Sequence, residues 1–341
     1  MKYVQLGQTD INLSLITMGA WAIGDYEIGG IDQRDAIKAM HKGYELGCTS
    51  IDTAPVYNIG LSEEVVAEAI KDMPRDKIQI LTKCGIVWEG TKGHPYFQGV
   101  NFGDRTVNFY KYSGKESVIE QCEQSLRRLK TDYIDLFSIH WPDISTPIEE
   151  SMEGFNILLQ QGKIRAVGLA NYHTKDMKLA ESVTCVAANK IRYSMLNKSV
   201  EAELVPYCME KKKTMLAYSI LQRGILSGEV VPTFLWPEGY DNPQEVALYE
   251  ASNRAMINEF LDKIRPIAYD NGATLSQLGI RWVLEQPGAP VALLGATSPG
   301  QMEHDARSVD IPFSQSDLDT INFHLKELEG KLVLPKEPWY I

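Results

Sequence analysis

Four polar residues in the first half of the chain could together transfer a proton: Asp52, Tyr57, Lys83 and His140. A phenol such as Tyr57 has a pKa of about 10 and is a poor acid at neutral pH. A neighbouring Lys83 ammonium would favour the phenolate and lower that pKa, and Asp52 would hold the ammonium in place. His140 could hydrogen-bond a substrate carbonyl and orient it toward Tyr57. No protein group is an obvious nucleophile for the carbonyl carbon, so hydride from a nicotinamide is the natural completion.

Each of these residues has an ordinary structural explanation when it is considered alone. An Asp at a strand end commonly caps the next helix, a single Lys is usually solvated, and a His or Tyr is often packed in a core. A Lys and an Asp buried together are harder to explain in this way, because buried charges need partners. The proposed chemistry therefore depends on whether the fold brings the four residues together.

The elements that must position these residues alternate between strands and helices. Short apolar runs rich in β-branched residues predict eight strands: Leu15–Met18, Thr49–Asp52, Ile78–Lys83, Tyr133–His140, Ala166–Leu169, Val186–Asn189, Met215–Tyr218 and Val291–Leu294. Amphipathic stretches between them predict helices, among them Asp32–Leu46, Ser62–Ile70, Ser117–Leu129, Pro147–Gln160, Thr174–Ser182, Val200–Glu210, Asn253–Tyr269 and Pro299–Ser308. This alternation predicts an α/β fold, a single (β/α)8 TIM barrel in which residues 1–341 form one domain. An open doubly wound sheet would usually carry G-x-G-x-x-G after its first strand, and residues 19–24 lack that spacing.

A barrel of this kind would bring the four candidate residues to one place. Asp52, Lys83 and His140 end the second, third and fourth predicted strands, and Tyr57 follows Asp52 in the next loop. Reactive groups in such barrels come from the C-terminal ends of the strands, and consecutive strands are neighbours. We therefore expect the four side chains to converge on one side of the barrel mouth.

Three segments do not fit the strand–helix repeat. Residues 1–14 alternate apolar and polar positions around a Gly-Gln-Thr-Asp turn, which predicts a hairpin that could close one end of the barrel. Residues 86–114 and 229–250 are long and rich in aromatic side chains. Loops of this length in a compact domain are usually functional, and we expect both at the active-site face.

Composition narrows the range of partners. The chain has 341 residues, 44% of them hydrophobic, and a formal net charge of −11, values typical of a soluble globular protein. Without a basic stripe, neither nucleic acid nor an anionic membrane is an expected partner. The five cysteines contain no C-x-x-C pair, no His pair has metal-ligand spacing, and the first residues lack an apolar signal core. These features predict a cytoplasmic protein with reduced thiols and no metal.

Longer motifs extend this interpretation. They are IDTAPVYNIGLSEEVVAEAI (51–70), ILTKCG (80–85), SLRRLKTDYIDLFSIHWPD (125–143), GKIRAVGLANY (162–172), AYSILQRGILSGE (217–229) and LLGATSPGQMEHD (293–305). In this order they resemble the conserved segments of the aldo-keto reductase superfamily. The resemblance implies an NAD(P)-dependent oxidoreductase that transfers hydride between a nicotinamide cofactor and the carbonyl or alcohol group of an aldehyde, ketone or sugar.

The resemblance also implies roles for individual residues. Asp52, Tyr57, Lys83 and His140 match the catalytic four, with Tyr57 as the general acid in reduction and the base in oxidation. Asn171 and Asn189 match residues that hold the nicotinamide carboxamide, and Tyr218 matches the ring that stacks on the nicotinamide. The remaining cofactor-binding matches, over the pyrophosphate and at the adenosine end, are Asp52, Ser219, Leu221, Arg223, Gly224, Leu226, Gly295, Ala296, Thr297, Gln301, His304 and Asp305.

The choice between NADP and NAD is left open by one departure from the family pattern. Residues 295–305 contain no Lys or Arg, although the family often has one there to bind the 2′-phosphate of NADP. Loss of one charge-assisted contact weakens an interaction by roughly 1.5–3 kcal/mol. The family pattern favours NADP, with NAD or dual use as the alternative, and Arg307 or Arg223 could supply the missing charge.

Four aromatic residues are expected around the substrate pocket. Trp21, Tyr26, Trp88 and Trp141 would ring the pocket, where they could stack on a sugar or an aromatic carbonyl compound, or simply pack the loops against the barrel rim. The expected partner is a small carbonyl, alcohol or sugar molecule, and a homo-oligomer is left open. Two other functions remain as alternatives: a Schiff-base lyase or aldolase with Lys83 as nucleophile, and a nucleotide-sensing binding subunit.

Overall fold

The computed structural model describes residues 1–23, 32–102, 104–229, 242–288 and 290–335. Its strands, in chain order, are β1 (Tyr3–Gln5), β2 (Asn12–Ser14), β3 (Ile16–Gly19), β4 (Ser50–Asp52), β5 (Gln79–Cys84), β6 (Ile86–Val87), β7 (His94–Pro95), β8 (Val100–Phe102), β9 (Arg105–Val107), β10 (Tyr110–Lys111), β11 (Ile134–Ile139), β12 (Ile164–Ala170), β13 (Val186–Arg192), β14 (Thr214–Tyr218) and β15 (Val291–Gly295). Its helices are α1 (Gln33–Glu45), α2 (Leu61–Ile70), α3 (Lys115–Leu129), α4 (Ile148–Gln160), α5 (Thr174–Glu181), α6 (Leu204–Glu210), α7 (Pro243–Leu248), α8 (Ala251–Asp270), α9 (Leu275–Leu284), α10 (Pro299–Ala306) and α11 (Gln315–Glu329).

Eight parallel strands close into a barrel, in the order β3, β4, β5, β11, β12, β13, β14 and β15, with β15 paired back to β3. The predicted (β/α)8 barrel is confirmed, and each predicted strand lies on one barrel strand. The largest difference is in β13, which continues through Arg192 instead of ending at Asn189. The extra residues bring Lys190 and Arg192 into the wall of the barrel.

The helices pack their apolar faces against the outside of the barrel. In α1, for example, Ala36, Ala39, Met40 and Gly43 recur at helical spacing and are buried. The predicted helix Val200–Glu210 is divided in two, because Ser199–Glu201 form a 3-10 helix and α6 begins at Leu204. Its Pro206 then lies in the first turn of the helix, where a missing backbone N–H is tolerated.

The hairpin of β1 and β2 closes the N-terminal end of the barrel, as predicted. Its residues Leu6, Ile11 and Leu13 are buried against side chains from the barrel strands. Gly7, in the turn, has φ +56° and lies so close to Ala187 that a Cβ would stand 2.7 Å from the carbonyl oxygen of that residue. The turn therefore needs glycine both for its backbone conformation and for the close approach.

The segment 86–114 is more regular than a simple loop. It contains an antiparallel sheet in the order β6, β10, β7 and a hairpin of β8 and β9. Ile86, Val107 and Phe109 form a small buried cluster with further aromatic residues packed against it. The aromatic content that predicted a functional loop thus also gives the segment a core of its own. Of the second predicted loop, residues 230–241 lie outside the described residues.

Within the described ranges, no helix combines the length and the apolar character needed to cross a membrane.

Candidate active site

Asp52 and Lys83 form a buried ion pair at the C-terminal ends of neighbouring strands β4 and β5. The Lys83 ammonium lies 3.0 Å from Oδ2 of Asp52 and donates a second hydrogen bond to the carbonyl oxygen of Thr53 at 2.5 Å. Burial lowers the pKa of Lys83 to about 7, against the opposing attraction of Asp52. For Asp52, burial alone would raise the pKa, but nearby lysine ammonium groups outweigh it and hold the pKa below its usual range. This pair was expected from the sequence.

A second lysine that the sequence analysis missed binds the same carboxylate. Lys190, in β13 on the far side of the barrel mouth, lies with its Nζ 2.6 Å from Oδ2 of Asp52. Its side chain is 9% exposed. Strand alternation was the signal that could have found it, because Lys190 and Arg192 share one face of β13.

Asn189, the neighbour that was expected to bind the nicotinamide carboxamide, is not in the site. Its amide nitrogen donates to the carbonyl oxygen of Tyr172 at 2.8 Å and contacts the sulfur of Met177, which belongs to the outer helix α5. Successive residues of a strand face opposite sides of a sheet, so a shift of one position exchanges inside for outside. The expectation for Asn189 is wrong, and Lys190 holds the inward position.

Tyr57 lies between Lys83 and His140. The Lys83 ammonium is 5.0 Å from the centroid of the Tyr57 ring, and the His140 ring meets that ring edge-on at a centroid distance of 5.8 Å. Burial raises the pKa of Tyr57 well above its usual range, and the Asp52 carboxylate raises it further. The expected lowering of this pKa by Lys83 is therefore not observed, since the ammonium is directed at Asp52. The phenol stays protonated at neutral pH, as an acid requires.

His140 is a neutral imidazole at physiological pH. Burial lowers its pKa well below the usual range, and the positive charges of Lys83, Lys190 and Lys111 lower it further. A neutral ring carries one N–H donor, which suits hydrogen bonding to a carbonyl oxygen. His140 can therefore orient a substrate without competing with Tyr57 as the acid.

Asn171 connects His140 to Tyr218. Its amide nitrogen donates to the His140 carbonyl oxygen at 3.0 Å, and its Oδ1 accepts the Tyr218 hydroxyl at 2.6 Å. The Tyr218 ring in turn lies under two cations, Lys190 and Arg192, at 5.7 and 5.5 Å from its centroid. The structure thus brings the two predicted nicotinamide contacts, Asn171 and Tyr218, beside the four catalytic candidates.

The loop after β14 has the backbone expected of a pyrophosphate-binding turn. Ser219, Gln222, Arg223 and Gly224 all have positive φ angles, between 48° and 94°. The N–H groups of Gln222 and Gly224 donate to the carbonyl oxygens of Ser219 and Leu221, which fixes the shape of the turn. The ring of Tyr218 and the amide of Asn171 lie beside this turn, so the site fits a nicotinamide dinucleotide. Leu226, by contrast, is buried, and Leu221 packs near Gly279.

At the predicted adenosine end, polar side chains are held by one another. Gln301 accepts hydrogen bonds from the backbone and hydroxyl of Thr297 and donates to the Gly295 carbonyl. His304 hydrogen-bonds Asp305, which is buried, and burial raises the pKa of that carboxyl. Ala296, the residue that follows the last barrel strand β15, packs against the main core.

The two arginines that could supply the missing phosphate contact are both paired with glutamates. Arg307 lies 2.7 Å from Glu303, which also approaches Lys42 at 3.6 Å. Arg223 lies 3.2 Å from the buried Glu245. The carboxylate of Glu303 therefore lies beside two cations, Arg307 and Lys42, at the predicted adenosine end.

The predicted substrate residues divide into three groups. Trp88 and Trp141 join an aromatic cluster with Tyr96 and Phe109 on the wall formed by residues 86–114. Trp21 is 39% exposed and lies under the Arg223 guanidinium at 5.1 Å. Tyr26 lies outside the described residues.

Comparisons with known proteins agree with this geometry. The sequence profile of the Aldo/keto reductase family matches residues 15–326. The chain is 33% identical to aldo-keto reductase YhdN of Bacillus subtilis (strain 168), over 98% of this chain and 97% of the relative. It is 33% identical to the NADH-specific methylglyoxal reductase of Escherichia coli (strain K12), over 96% of this chain and 100% of the relative.

A solved structure shares the fold over nearly the whole length. The glycerol dehydrogenase AKR11B4 from Gluconobacter oxydans superposes with a TM-score of 0.85 at 29% identity, covering 99% of this chain and 98% of that one. The profile match and the relatives together bear out the resemblance of the motifs. The chain belongs to the aldo/keto reductase family and is an NAD(P)-dependent oxidoreductase of carbonyl or alcohol substrates.

Proposed function

We propose that this protein reduces small aldehydes and ketones, with Tyr57 as the proton donor. The observation that carries the proposal is the position of Tyr57 between the Lys83 ammonium and the neutral His140 ring. The reduced nicotinamide, when bound, supplies the hydride that adds to the carbonyl carbon. The protein then has to orient the carbonyl and deliver a proton to its oxygen.

Each of the four side chains has a separate role in these steps. The His140 N–H donates a hydrogen bond to the carbonyl oxygen, which polarises the bond and aligns it with Tyr57. The Tyr57 hydroxyl gives its proton to the oxygen as negative charge develops there. The Lys83 ammonium stabilises the phenolate that is left, and Asp52 holds Lys83 in position. In the reverse direction, the phenolate removes a proton from the alcohol.

The cofactor is held by the remaining predicted residues. We assign the nicotinamide end to Asn171 and Tyr218, and the pyrophosphate to the turn that contains Ser219, Arg223 and Gly224. The adenosine end goes to the segment from Gly295 to His304. Glu303 and its pairing with Arg307 make NADH the favoured cofactor over NADPH, and the NADH-specific relative from Escherichia coli supports this choice.

The substrate class follows from the relatives and from the aromatic wall. One relative is a methylglyoxal reductase and a structural neighbour is a glycerol dehydrogenase, so a short oxygenated carbonyl compound is the proposed substrate. Trp88 and Trp141 would shield the reacting carbonyl from water. The free cysteines and a cellular nicotinamide pool suit a cytoplasmic location.

The direct test is turnover of the wild-type protein and of Tyr57→Phe. We expect oxidation of NADH on addition of methylglyoxal, and reduction of NAD⁺ on addition of glycerol. Tyr57→Phe should lose roughly 100-fold or more in kcat while it still quenches its tryptophan fluorescence on binding NADH. Unchanged turnover in this variant would show that Tyr57 is not the acid.

The same purified protein can be used to test the two alternative functions, a Schiff-base enzyme and a nucleotide sensor. A Schiff-base enzyme would be inactivated by borohydride in the presence of a carbonyl substrate, with the substrate carbon retained on Lys83. The lowered pKa of Lys83 is compatible with such a role. We expect no such adduct, because the ammonium is held by Asp52 and Thr53. A nucleotide sensor would bind NADH and turn over no carbonyl compound.

A further inference from the structure

We propose that Lys190 makes this site bind the reduced nicotinamide dinucleotide more tightly than the oxidised form. The inference rests on the proposed function, in particular on Tyr218 as the ring that stacks on the nicotinamide. It concerns a residue to which neither the motifs nor the catalytic four assigned a role. Lys190 acts here as a specificity-determining residue for the oxidation state of the cofactor.

The position of Lys190 joins the two halves of the site. Its ammonium lies 2.6 Å from Oδ2 of Asp52, in the catalytic group, and 5.7 Å from the centroid of the Tyr218 ring. The side chain reaches Asp52 from β13 across the mouth of the barrel and is almost fully buried. A charge in that position is weakly screened by solvent.

Among the residues that the structure describes, the charges on Lys190 and its nearest partners do not cancel. Oδ2 of Asp52 accepts from both Lys83 and Lys190, so one carboxylate serves two ammonium groups. When both lysines are protonated, this group of three side chains carries one net positive charge. His140, on the same side, is a neutral ring.

The other cation over Tyr218 belongs to a second charged group. Arg192 lies 5.5 Å from the ring centroid and forms an ion pair with the buried carboxylate of Glu245, which also pairs with Arg223. Lys111, which also acts on His140, lies against the rings of Tyr96 and Trp141 in the aromatic wall. Lys190 is the cation that both lies over Tyr218 and shares Asp52 with Lys83, so removing its charge lowers the positive charge beside the ring by one.

This charge distinguishes the two forms of the cofactor. An oxidised nicotinamide ring is positively charged and a reduced ring is neutral, so the lysines repel only the oxidised ring. Between unit charges a few ångströms apart at a protein surface, such repulsion amounts to roughly tenfold or more in an equilibrium constant. A site that releases the oxidised cofactor readily is suited to carbonyl reduction.

The test is the ratio of two dissociation constants, Kd for NAD⁺ over Kd for NADH, measured by quenching of tryptophan fluorescence without substrate. The titrations are run at pH 6, below the pKa of about 7 of Lys83, so that its ammonium form predominates. We expect the ratio to fall about tenfold in Lys190→Gln. Lys190→Arg keeps the charge and should keep the ratio.

A matched control removes a lysine charge elsewhere. Lys163 is paired with Glu123 next to β12, at the N-terminal end of the barrel, and Lys163→Gln should leave the ratio within twofold of the wild type. A merely structural role for Lys190 would weaken both nucleotides equally, so an unchanged ratio in Lys190→Gln would overturn the inference. Circular dichroism shows whether each variant is folded. If the wild-type protein binds neither nucleotide, the proposed function fails as well. If it binds both and the ratio of dissociation constants is the same in Lys190→Gln, only the inference about Lys190 fails.

Discussion

Tyr218 donates its hydroxyl proton to Oδ1 of Asn171 at 2.6 Å. The same amide donates to the carbonyl oxygen of His140, so a chain of hydrogen bonds runs from the proposed nicotinamide-stacking ring to the residue proposed to orient the substrate. Asn171 has φ +65°, which turns its side chain between the two. The contact is therefore one means by which cofactor and substrate are held in a fixed relation.

Loss of the hydrogen bond between Tyr218 and Asn171 should weaken cofactor binding, and the effects of changing the two residues should not add. Asn171→Gly removes the amide without straining the left-handed backbone, and Tyr218→Phe removes the hydroxyl while it keeps the ring. We expect each change to raise Kd for NADH about five- to tenfold. The double variant should be little worse than Asn171→Gly alone, because that change already removes the hydrogen bond that Tyr218→Phe removes. Additive losses in fluorescence titrations would show that the two side chains act independently.

Glu303 should control the choice between the two dinucleotides. Glu303→Gln removes the negative charge beside Arg307 and Lys42, which then become available to a 2′-phosphate. We expect Kd for NADPH to fall about tenfold, with Kd for NADH changing less than twofold. The control is Glu68→Gln, which removes a glutamate from an exposed ion pair with Lys71 in α2. If Glu68→Gln lowered Kd for NADPH as much as Glu303→Gln does, the lower Kd would result from the net charge of the protein and not from the position of Glu303.

Asp135 should stabilise the barrel at the end away from the site. Its buried carboxylate accepts from Arg75 at 2.8 Å, from Arg165 at 3.0 Å and from the backbone N–H of Ile80 at 2.9 Å. Asp135→Asn removes the charge and replaces an acceptor with a donor, which should lower the free energy of unfolding by about 2–4 kcal/mol. Urea unfolding measures the loss. The exposed Asp76→Asn serves as the control and should change stability by less than about 0.5 kcal/mol.

Lys83 should make stability depend on pH in the alkaline range. Its pKa is lowered from 10.5 to about 7 in the folded protein, so between these values the unfolded chain binds the proton and the folded chain does not. The free energy of unfolding contributed by this group must then rise with pH above 7, by up to about 1.4 kcal/mol per unit.

Lys83→Met isolates this contribution. The difference in unfolding free energy, wild type minus variant, should increase between pH 7 and pH 9, because groups distant from Lys83 titrate alike in the two proteins. Urea unfolding at three pH values in that range provides the measurement. A constant difference would mean that Lys83 keeps its proton throughout.

Much of the site could be predicted from the sequence because it depends on local order along the chain. Asp52, Lys83 and His140 end consecutive strands, and in a parallel barrel consecutive strands are neighbours, so their convergence follows from the strand–helix alternation alone. The motifs then gave the family, and with it the positions of Tyr57, Asn171 and Tyr218. The first inference needs only the order of the strands, and the second needs the residues of the motifs.

The tertiary structure decided what depends on strand register and on contacts between distant segments. Asn189 and Lys190 are adjacent in the chain, and only the pleat of β13 determines that Lys190 faces Asp52 while Asn189 faces Met177. Likewise, Glu303 meets Lys42 because α1 packs against α10. The amino-acid sequence by itself therefore determined the barrel and the convergence of the four candidate residues, whereas the charge that surrounds them arises from side chains brought together across the fold.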